Sequence, residues 1–464
     1  MATRSAQPDV STLPPPPRCP LPKLRQLREI REFHTFAETV RDSAGPVVMV
    51  KLGPKSLMPP IVFITSPQGI RDVLTAPHGS ADKTSPLFVE MRYVLGYNLF
   101  DMQDHPWTAH RKAVQPLFTK NRVQDYAGDM SAAARSRMTE WGPAATIDID
   151  AEVRRMTLDA VTRAMFGIDM DVARTESLGH AIRTVLAHIT DRALAPLRPP
   201  HQLPTPAHRR AYAAAREIRS AADDIVRRCH EDPTVDAPLV RALIGAHDAD
   251  TGETLTDAEV AEELAAFLVA GHDTTATTLA YSLWALGNHP EIQEQVRAEA
   301  SSCGPELSPQ DVGGLECTVR VLHEALRLCP PGAGAIRTIE HDLAADGFRL
   351  SPGTVVSLSF YAMHRDPALW DDPLRFDPDR FTPDKMKTLD HWQYLPFGGG
   401  RRKCVGDQFA MLEATLALAT LVRDYEFTSQ RADFPIAVPF TVVAAAPVPA
   451  LVRRRRTIEP EDVT

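Results

Sequence analysis

The sequence has few cysteines and no excess of positive charge. Its 464 residues include six cysteines, which are scattered and too few for a disulfide scaffold. The formal net charge is −9, so an extended electrostatic partnership with nucleic acid or anionic lipid is not expected. Hydrophobic residues make up 44% and charged residues 24%, a globular composition that excludes wholesale disorder, collagen and coiled coil.

Long uncharged segments are also scarce. Residues 1–22 carry Arg4 and a run of prolines but no apolar core, so neither a signal peptide nor an anchor helix is expected. The one long uncharged run, residues 434–452, spans 19 residues, but its prolines disfavour a membrane-spanning helix. We predict a short strand at residues 441–443 instead, and a cytoplasmic protein without a membrane span.

What the sequence does contain is proline and helical patterning. Its 40 prolines predict many loops, and residues 196–206 and 247–253 are expected to form two of them. Apolar residues recur at helical spacing from about residue 105 to 330, whereas residues 46–65 have the composition of a small sheet. We therefore predict a proline-rich tail over residues 1–23, a single mainly α domain with a small β part over residues 24–455, and a tail over residues 456–464.

One predicted helix is unusually long. Thr256 and Glu259 form a capping-box pattern, helical composition continues to Asn288, and Pro290 ends it. A helix of this length extends about 50 Å, so we expect it to cross the whole molecule.

The segment of residues 397–406 carries the most specific chemical signal. Three glycines allow a tight loop, three cations (Arg401, Arg402 and Lys403) precede Cys404, and a helix is predicted to follow. Cations and a helix N-terminus both favour the thiolate, the form that binds a metal or attacks an electrophile. A phosphate-binding loop is disfavoured because the segment contains neither GxxxxGK[ST] nor GxGxxG.

This segment fits the pattern FxxGxRxCxG and resembles the haem-binding loop of the cytochrome P450 family. The resemblance implies the P450 fold, with a long central helix over the haem, and a haem b cofactor. It also implies that Cys404 is the axial thiolate of the haem iron and that Arg402 binds a propionate. Phe397 would shield the sulfur, and Gly406 would contribute to the cofactor site.

A second motif lies within the long helix. Asp273 and Thr274 place an acid beside a hydroxyl, which is suited to proton delivery, although an ordinary polar patch on a buried helix would have the same composition. The string at residues 270–275 resembles the family motif [AG]Gx[DE]T[TS]. The resemblance implies that Asp273 and Thr274 deliver protons during oxygen activation and that Gly271 lets the flat cofactor approach. His272 fills a variable position, and we expect it to pack or to face solvent.

Glu324 and Arg327 lie three residues apart on one predicted helix face. Most such pairs are surface ion pairs that contribute little to stability. With the following residues 328–331, this pair resembles the ExxR helix of the family. The resemblance implies a buried structural pair that joins Arg380 and supports the cysteine loop.

Three further residues match family positions next to the haem. Trp107 and Arg111 form a WxxxR pair, and Arg337 follows a turn of small residues. The resemblance implies that both arginines pair with propionates, which need cations when they are buried. Each arginine alone could equally be a surface residue. His105 and His110, beside the first pair, are predicted to have no role.

The resemblance implies a haem-thiolate monooxygenase of the soluble bacterial type, which uses dioxygen and takes electrons from a separate ferredoxin or flavodoxin with its reductase. Lys112 and Lys403 could form the docking patch for that donor, or could be solvated charges. The substrate pocket would include the loop of residues 86–99, the region around Leu186, and four residues: Phe267, Ala270, Ala333 and Phe440. No charge dominates these segments, so we predict an apolar substrate, a terpenoid or a fatty-acyl chain, in secondary metabolism.

Two other functions are compatible with a reactive cysteine. A haem-thiolate protein could catalyse coupling or rearrangement, or act as a sensor, without inserting oxygen. The acid–hydroxyl pair in the long helix favours oxygenation, because sensing does not require it. A hydrolase with a cysteine nucleophile is disfavoured, because the sequence offers no plausible histidine partner motif.

Overall fold

The computed structural model describes residues 9–54, 58–169, 171–195, 198–246, 254–304 and 306–455, without the side chains of Asp104 and His105. The predicted loop at residues 247–253 and the predicted C-terminal tail lie outside the described residues. Within the first predicted tail, residues 17–19 run beside the first strand of the main sheet, where the Cys19 N–H donates to the Met49 carbonyl at 2.9 Å.

The predicted fold class is confirmed, because helices form most of the described chain and strands a small part. The helices are α1 (Lys23–Glu29), α2 (Phe33–Ala44), α3 (Pro67–Leu74), α4 (Pro86–Leu95), α5 (Asp104–Val114), α6 (Lys120–Val123), α7 (Ala127–Trp141), α8 (Ile149–Phe166), α9 (Val172–Leu194), α10 (Pro206–Glu231), α11 (Pro238–Ile244), α12 (Asp257–Asn288), α13 (Pro290–Ser302), α14 (Glu316–Leu328), α15 (Phe360–Met363), α16 (Pro383–Thr388) and α17 (Asp407–Asp424). The strands are β1 (Val47–Val50), β2 (Ile61–Ile64), β3 (Ala81–Asp82), β4 (Ala144–Asp148), β5 (Gly334–Ile339), β6 (Leu343–Ala345), β7 (Phe348–Leu350), β8 (Val355–Ser359), β9 (Tyr425–Ser429), β10 (Ile436–Ala437), β11 (Val443–Ala444) and β12 (Pro449–Arg454).

The long helix α12 runs through the centre of the helical part. Its N-terminus has the predicted capping box, in which the Thr256 hydroxyl accepts the Glu259 N–H and the Glu259 carboxylate accepts the Thr256 N–H. Helices α8, α10 and α17 pack around it, and most of its side chains beyond His272 are buried. A helix that is largely apolar on all sides is stable only inside a protein, which explains its central place.

The main sheet lies at one side of the helical part. Its strand order is β1-β2-β8-β5-β3, with β2 and β8 parallel and the other pairs antiparallel. The predicted sheet at residues 46–65 is therefore confirmed as β1 and β2. A second sheet, β4-β12-β9, brings the C-terminal strand back beside α7 and α8.

Two local predictions differ from the structure. Residues 86–99 are not a loop, because residues 86–95 form α4, which Pro86 starts as a favourable first helical residue. The strand expected at residues 441–443 is displaced to Val443–Ala444, where it pairs with β10. Among the described helices, none is both long and apolar enough to span a membrane.

Candidate functional site

The loop before Cys404 depends on glycine. Gly398 and Gly400 have φ angles of 69° and 66°, a region that side chains rarely adopt. A Cβ on Gly400 would also lie 2.4 Å from the carbonyl oxygen of Leu74. The loop closes when the Cys404 N–H donates to the Phe397 carbonyl at 2.9 Å, and α17 begins at Asp407. The sequence therefore forms the tight loop that its glycines predict.

The Cys404 side chain is exposed, yet burial raises the pKa of its thiol. A residue can be accessible and still be surrounded by protein atoms when it lines an internal cavity. The Gly406 N–H, Arg111 and Lys403 oppose this rise in the pKa, but burial outweighs them. Lys403, one of the preceding cations, thus favours the thiolate as expected, although burial has the larger effect on the pKa. A thiol in such a place becomes a thiolate when a metal binds its sulfur.

The other two loop cations, Arg401 and Arg402, have partners elsewhere. Arg401 contacts the ring of His78 at 3.1 Å, and Arg402 donates to the Met102 carbonyl at 2.7 Å. Arg402 also lies over the Trp107 ring, with its guanidinium carbon 4.5 Å from the ring centroid.

One face of α12 is accessible in the middle of the molecule. Ala270 is exposed, and Phe267 and Thr274 are half-buried, at three- and four-residue spacing along the helix. Their neighbours Leu268, His272 and Asp273 are buried. The Thr274 hydroxyl donates to the Ala270 carbonyl at 2.8 Å, so its oxygen can still accept a hydrogen bond. This face and the sulfur of Cys404 are the accessible surfaces expected of a buried reaction site.

Gly271 lies at a close contact between two helices. A Cβ at this position would lie 2.8 Å from Cγ2 of Val161 on α8. The glycine is therefore explained by the close packing of α8 against α12. The cofactor contact expected of Gly271 stays a prediction.

Asp273 and Thr274 do not form a hydrogen-bonded pair. The buried Asp273 carboxylate is paired with Arg154 on α8, which also binds Asp150 at 2.7 Å. His272 is buried as well, 3.6 Å from Asp273, and burial lowers its pKa to about 4. His272 is therefore a packing residue, one of the two expected alternatives. No sequence motif marks Arg154, and only the packing of α8 on α12 identifies it.

A cluster of buried cations lies beside the cysteine loop. Arg337 on β5 and Lys83 are buried, and Arg402 lies 3.8 Å from Asp82. Burial and the guanidinium groups of Arg337 and Arg402 hold the pKa of Lys83 well below its usual range. Buried positive charges that repel one another are stabilised by an anionic ligand. The sequence did not reveal Lys83, which no motif marks.

Trp107 and Arg111 join α5 to this cluster. Trp107 is buried, and the Arg111 guanidinium donates to the Lys403 carbonyl at 3.0 Å. Since Arg402 lies over the same indole ring, the residues expected to hold the propionates meet at one place. The thiol and the cations thus fit an anionic, metal-containing group of the haem type.

The structure also contains the expected buried pair beneath the loop. Glu324 and Arg327 are completely buried and form two hydrogen bonds, at 2.6 and 2.7 Å. Arg327 donates further to the carbonyls of His364 and Pro373, at 2.8 and 2.7 Å. Arg380 lies 3.5 Å from the Glu324 carboxylate. The network binds the chain segments that precede the cysteine loop to α14.

Most of the remaining predicted residues lie in apolar clusters. The Phe397 ring packs with Leu326, Trp370, Phe381 and Tyr394, so its described contacts are with the α14 region. Phe267 stacks on Phe118, with centroids 5.8 Å apart, and Phe440 lies 5.9 Å from Phe100. Ala333 is half-buried just before β5, Gly406 is half-buried next to Cys404, and Leu186 is buried in the core.

His110 is not the bystander that the sequence suggested. Its Nδ1 lies 2.6 Å from the carboxylate of Glu263, a completely buried residue of α12. A glutamate within the buried part of a predicted helix was the available signal, because such a group needs partners. The side chain of His105 lies outside the described residues.

Comparisons with known proteins agree with this site. The family model described as Cytochrome P450 matches residues 14–452. The chain is 32% identical over 379 residues to cyclooctat-9-en-7-ol 5-monooxygenase of Streptomyces melanosporofaciens, covering 81% of each chain. It is 30% identical over 388 residues to pentalenene oxygenase of Streptomyces avermitilis, covering 83% of this chain and 84% of the relative.

A solved structure is similar over nearly the whole chain. The retinoic acid-bound cyanobacterial CYP120A1 matches with a TM-score of 0.83 and 25% identity, covering 96% of this chain and 100% of that one. The family match extends over the cysteine loop, the α12 motif and the buried Glu324–Arg327 pair. The chain therefore belongs to the cytochrome P450 family and is a haem-dependent monooxygenase.

Proposed function

We propose that this enzyme inserts one oxygen atom into an apolar terpenoid, by hydroxylation or epoxidation. The observation that carries the proposal is the accessible face of α12 together with Cys404, an accessible residue whose thiol is nevertheless surrounded by protein. In a hydroxylation, one substrate C–H bond, dioxygen, two electrons and two protons give an alcohol and water.

The cofactor in this proposal is haem b, bound through Cys404. Arg402, Arg111 and Arg337 hold the propionates, and the buried Lys83 joins them as a fourth cation. Trp107 fixes the guanidinium groups of Arg111 and Arg402, which lie 5.9 and 4.5 Å from its ring centroid. When bound, a haem with a thiolate ligand supplies the oxygen-activating chemistry, while the protein orients the substrate and moves protons.

Thr274 and Asp273 are the residues proposed to deliver protons. The Thr274 oxygen can accept a hydrogen bond from a proton donor in the site, while its own hydroxyl hydrogen is donated to the Ala270 carbonyl. Arg154 pairs with Oδ1 of Asp273, so Oδ2 is the oxygen through which Asp273 would pass a proton. Replacing Thr274 by Ala should lower the product formed per electron consumed, with the bound cofactor unchanged.

The choice of a terpenoid over a fatty-acyl chain is supported by two similar proteins. Cyclooctat-9-en-7-ol 5-monooxygenase and pentalenene oxygenase act on terpenoids. The apolar contacts of Phe267 and Phe440 suit a hydrocarbon skeleton, because such pockets bind through burial of apolar surface. This role would place the enzyme in secondary metabolism.

The electrons are proposed to come from a ferredoxin or a flavodoxin with its reductase. Lys112 is exposed on α5, and Lys403 is half exposed and paired with Asp407 at 2.5 Å. These lysines lie beside the cysteine loop, so an acidic donor could dock there. The cytoplasmic location stays a prediction from the sequence.

Two measurements test the proposal. The reduced protein should give the red-shifted CO-bound Soret band of thiolate-ligated haem, and Cys404→Ser should abolish it. Terpene hydrocarbons and fatty acids should then be titrated, and terpenes should give a low- to high-spin Soret shift. A shift with fatty acids alone would contradict the terpenoid assignment, and an unchanged band in the Cys404→Ser variant would contradict the ligand.

A further inference from the structure

A completely buried carboxylate joins three elements around the accessible face of α12. Both carboxylate oxygens of Glu263 accept the backbone N–H of Leu99, at 2.9 and 3.1 Å. One of them also lies 2.6 Å from Nδ1 of His110 on α5. Glu263 therefore links α12, α5 and residues 96–103, which we call the α4–α5 loop.

These contacts are specific to one position of the loop. A buried carboxylate is costly unless its oxygens are hydrogen-bonded, and every partner named above comes from outside α12. If the loop moved away, Glu263 would lose the Leu99 N–H and would keep only His110. The stability of the buried charge is thus coupled to the loop conformation.

A second glutamate holds the same loop one residue earlier on α12. Glu262 accepts the Tyr97 N–H at 2.9 Å and pairs with Arg219 at 3.2 Å. Gly96 permits this approach, since a Cβ there would lie 2.2 Å from the Glu262 carboxyl carbon. Glu262 is partly exposed, whereas Glu263 is fully buried, so the inner anchor is the stronger one.

The α4–α5 loop carries apolar side chains that face the proposed pocket. Leu99 packs in the same cluster as Phe267. The Phe100 ring lies 5.9 Å from Phe440 and 6.4 Å from Phe88. The loop also ends at the cofactor side, where the Met102 carbonyl accepts Arg402. A shift of the loop would therefore change the shape of the pocket wall.

We propose that Glu263, with His110, is a positioning pair that fixes the α4–α5 loop and thereby sets which ligand shapes and orientations the pocket accepts. The proposal rests on the proposed function, because it concerns the pocket of that same site. Neither residue contacts the thiolate ligand or the propionate cations in the described structure, so the pair acts on selectivity through the loop. In this arrangement, loss of the pair leaves haem binding intact and loosens one wall of the pocket.

The test uses the haem-loaded enzyme and two azoles of different size. Imidazole, which needs little of the pocket, and phenylimidazole, which must pack against its wall, both give spectral shifts when they bind haem iron. In Glu263→Gln we expect phenylimidazole to bind about tenfold more weakly, since the charge-assisted hydrogen bonds are lost. Imidazole affinity and the CO-bound band should stay unchanged, and amide exchange of Leu99 should become faster.

Two further variants keep the test decisive. His110→Phe removes one partner and should produce the same selective loss of phenylimidazole affinity, but smaller; it also serves if Glu263→Gln does not fold. Glu262→Gln, which removes the partly exposed α12 anchor of the same loop, is the matched control and should have the smallest effect. Equal weakening of both azoles, or unchanged phenylimidazole affinity and Leu99 exchange, would overturn the inference. A wild-type protein without azole shifts would instead overturn the proposed function.

Discussion

Two buried ion pairs in different parts of the molecule are built differently. On α14, Arg327 is satisfied by Glu324 and by backbone carbonyls, and both side chains are fully buried. Between α9 and α4, Arg192 pairs with Glu90 at 2.6 Å and also contacts two histidines, at 2.7 and 3.2 Å, and the Pro199 carbonyl, at 3.0 Å. The first pair bonds to backbone that the fold fixes, whereas the second bonds mainly to side chains.

The difference separates a rigid support from an adjustable cover. We call the region of α14 and the cysteine loop the support, and the region of α4, α9 and the start of α10 the cover. The cover joins its helices through the cluster of Arg192 and Glu90, with His201, His208, Tyr93 and Tyr212 around them. Backbone carbonyls hold one geometry, while these side chains can exchange partners, so we expect changes in the support to be global and those in the cover to be local.

The largest effect is expected when the support pair is broken. In Arg327→Leu the buried Glu324 loses its main partner, and burial already raises its pKa. Such a change lowers the free energy of unfolding by about 3–5 kcal/mol. We therefore expect the protein to unfold at a much lower urea concentration and little of it to show the CO-bound band. Arg297→Leu, which breaks a half-exposed pair on α13, is the control and should cost less than about 1 kcal/mol. A stable, haem-loaded Arg327→Leu protein would contradict the rigid-support interpretation.

A smaller and more local effect is expected in the cover. Arg192→Leu removes the charge-assisted hydrogen bonds to Glu90 and should cost about 2–3 kcal/mol. Amide exchange should rise in α4 and at the start of α10, while the CO-bound band is retained. Arg174→Leu, on the same helix but in an exposed 3.4 Å pair, is the matched control. Loss of the CO-bound band in Arg192→Leu but not in Arg174→Leu would contradict the interpretation that changes in the cover stay local.

The two regions also differ in what the sequence reveals. In the support, short motifs such as ExxR and the cysteine loop identify residues that meet in the structure, because their spacing lies within one helix or one turn. The cover depends on contacts between distant residues, since Glu90 is 102 positions from Arg192. The contact of the α4–α5 loop with α12 has the same character, because Leu99 is 164 positions from Glu263. Local patterns carry no information about such pairs, so Lys83, Arg154 and the Glu263–His110 pair were missed.

Gly271 offers a test on α12, between the two regions. Gly271→Ala would place a Cβ 2.8 Å from Val161, and overpacking of this kind costs about 1–3 kcal/mol. Alanine regains about 1 kcal/mol through its higher helix propensity. We therefore expect the free energy of unfolding, measured by thermal unfolding, to fall by about 1 kcal/mol. Val161→Ala should relieve the contact and make the double variant more stable than the sum of the single changes predicts. Additive losses would contradict helix packing as the reason for this glycine.

The smallest expected effect compares the pH dependence of one histidine in each region. Burial lowers the pKa of His323 on α14 from 6.5 to about 4. Because the unfolded chain binds this proton first, His323 leaves stability unaffected above pH 6.5 and reduces it as the pH falls from 6.5 toward 4. In His323→Phe, the loss of unfolding free energy between pH 7 and 5.5 should shrink by about 1 kcal/mol.

His201 in the cover should contribute less to the same curve. Burial lowers the pKa of His201 too, and Arg192 and His208 add to that shift, whereas the Glu90 carboxylate at 3.3 Å opposes it. The His201 side chain is 17% exposed. Phenylalanine at this position can keep the stacking on Tyr93 but loses the contacts with Arg192 and the Tyr212 hydroxyl, so the slope against pH, not the absolute stability, is compared. We expect His201→Phe to change the slope of unfolding free energy against pH by less than His323→Phe does. A histidine makes stability fall on acidification only when the fold keeps it neutral. An equal or larger change would therefore show that the cover keeps His201 neutral as strongly as the support keeps His323 neutral.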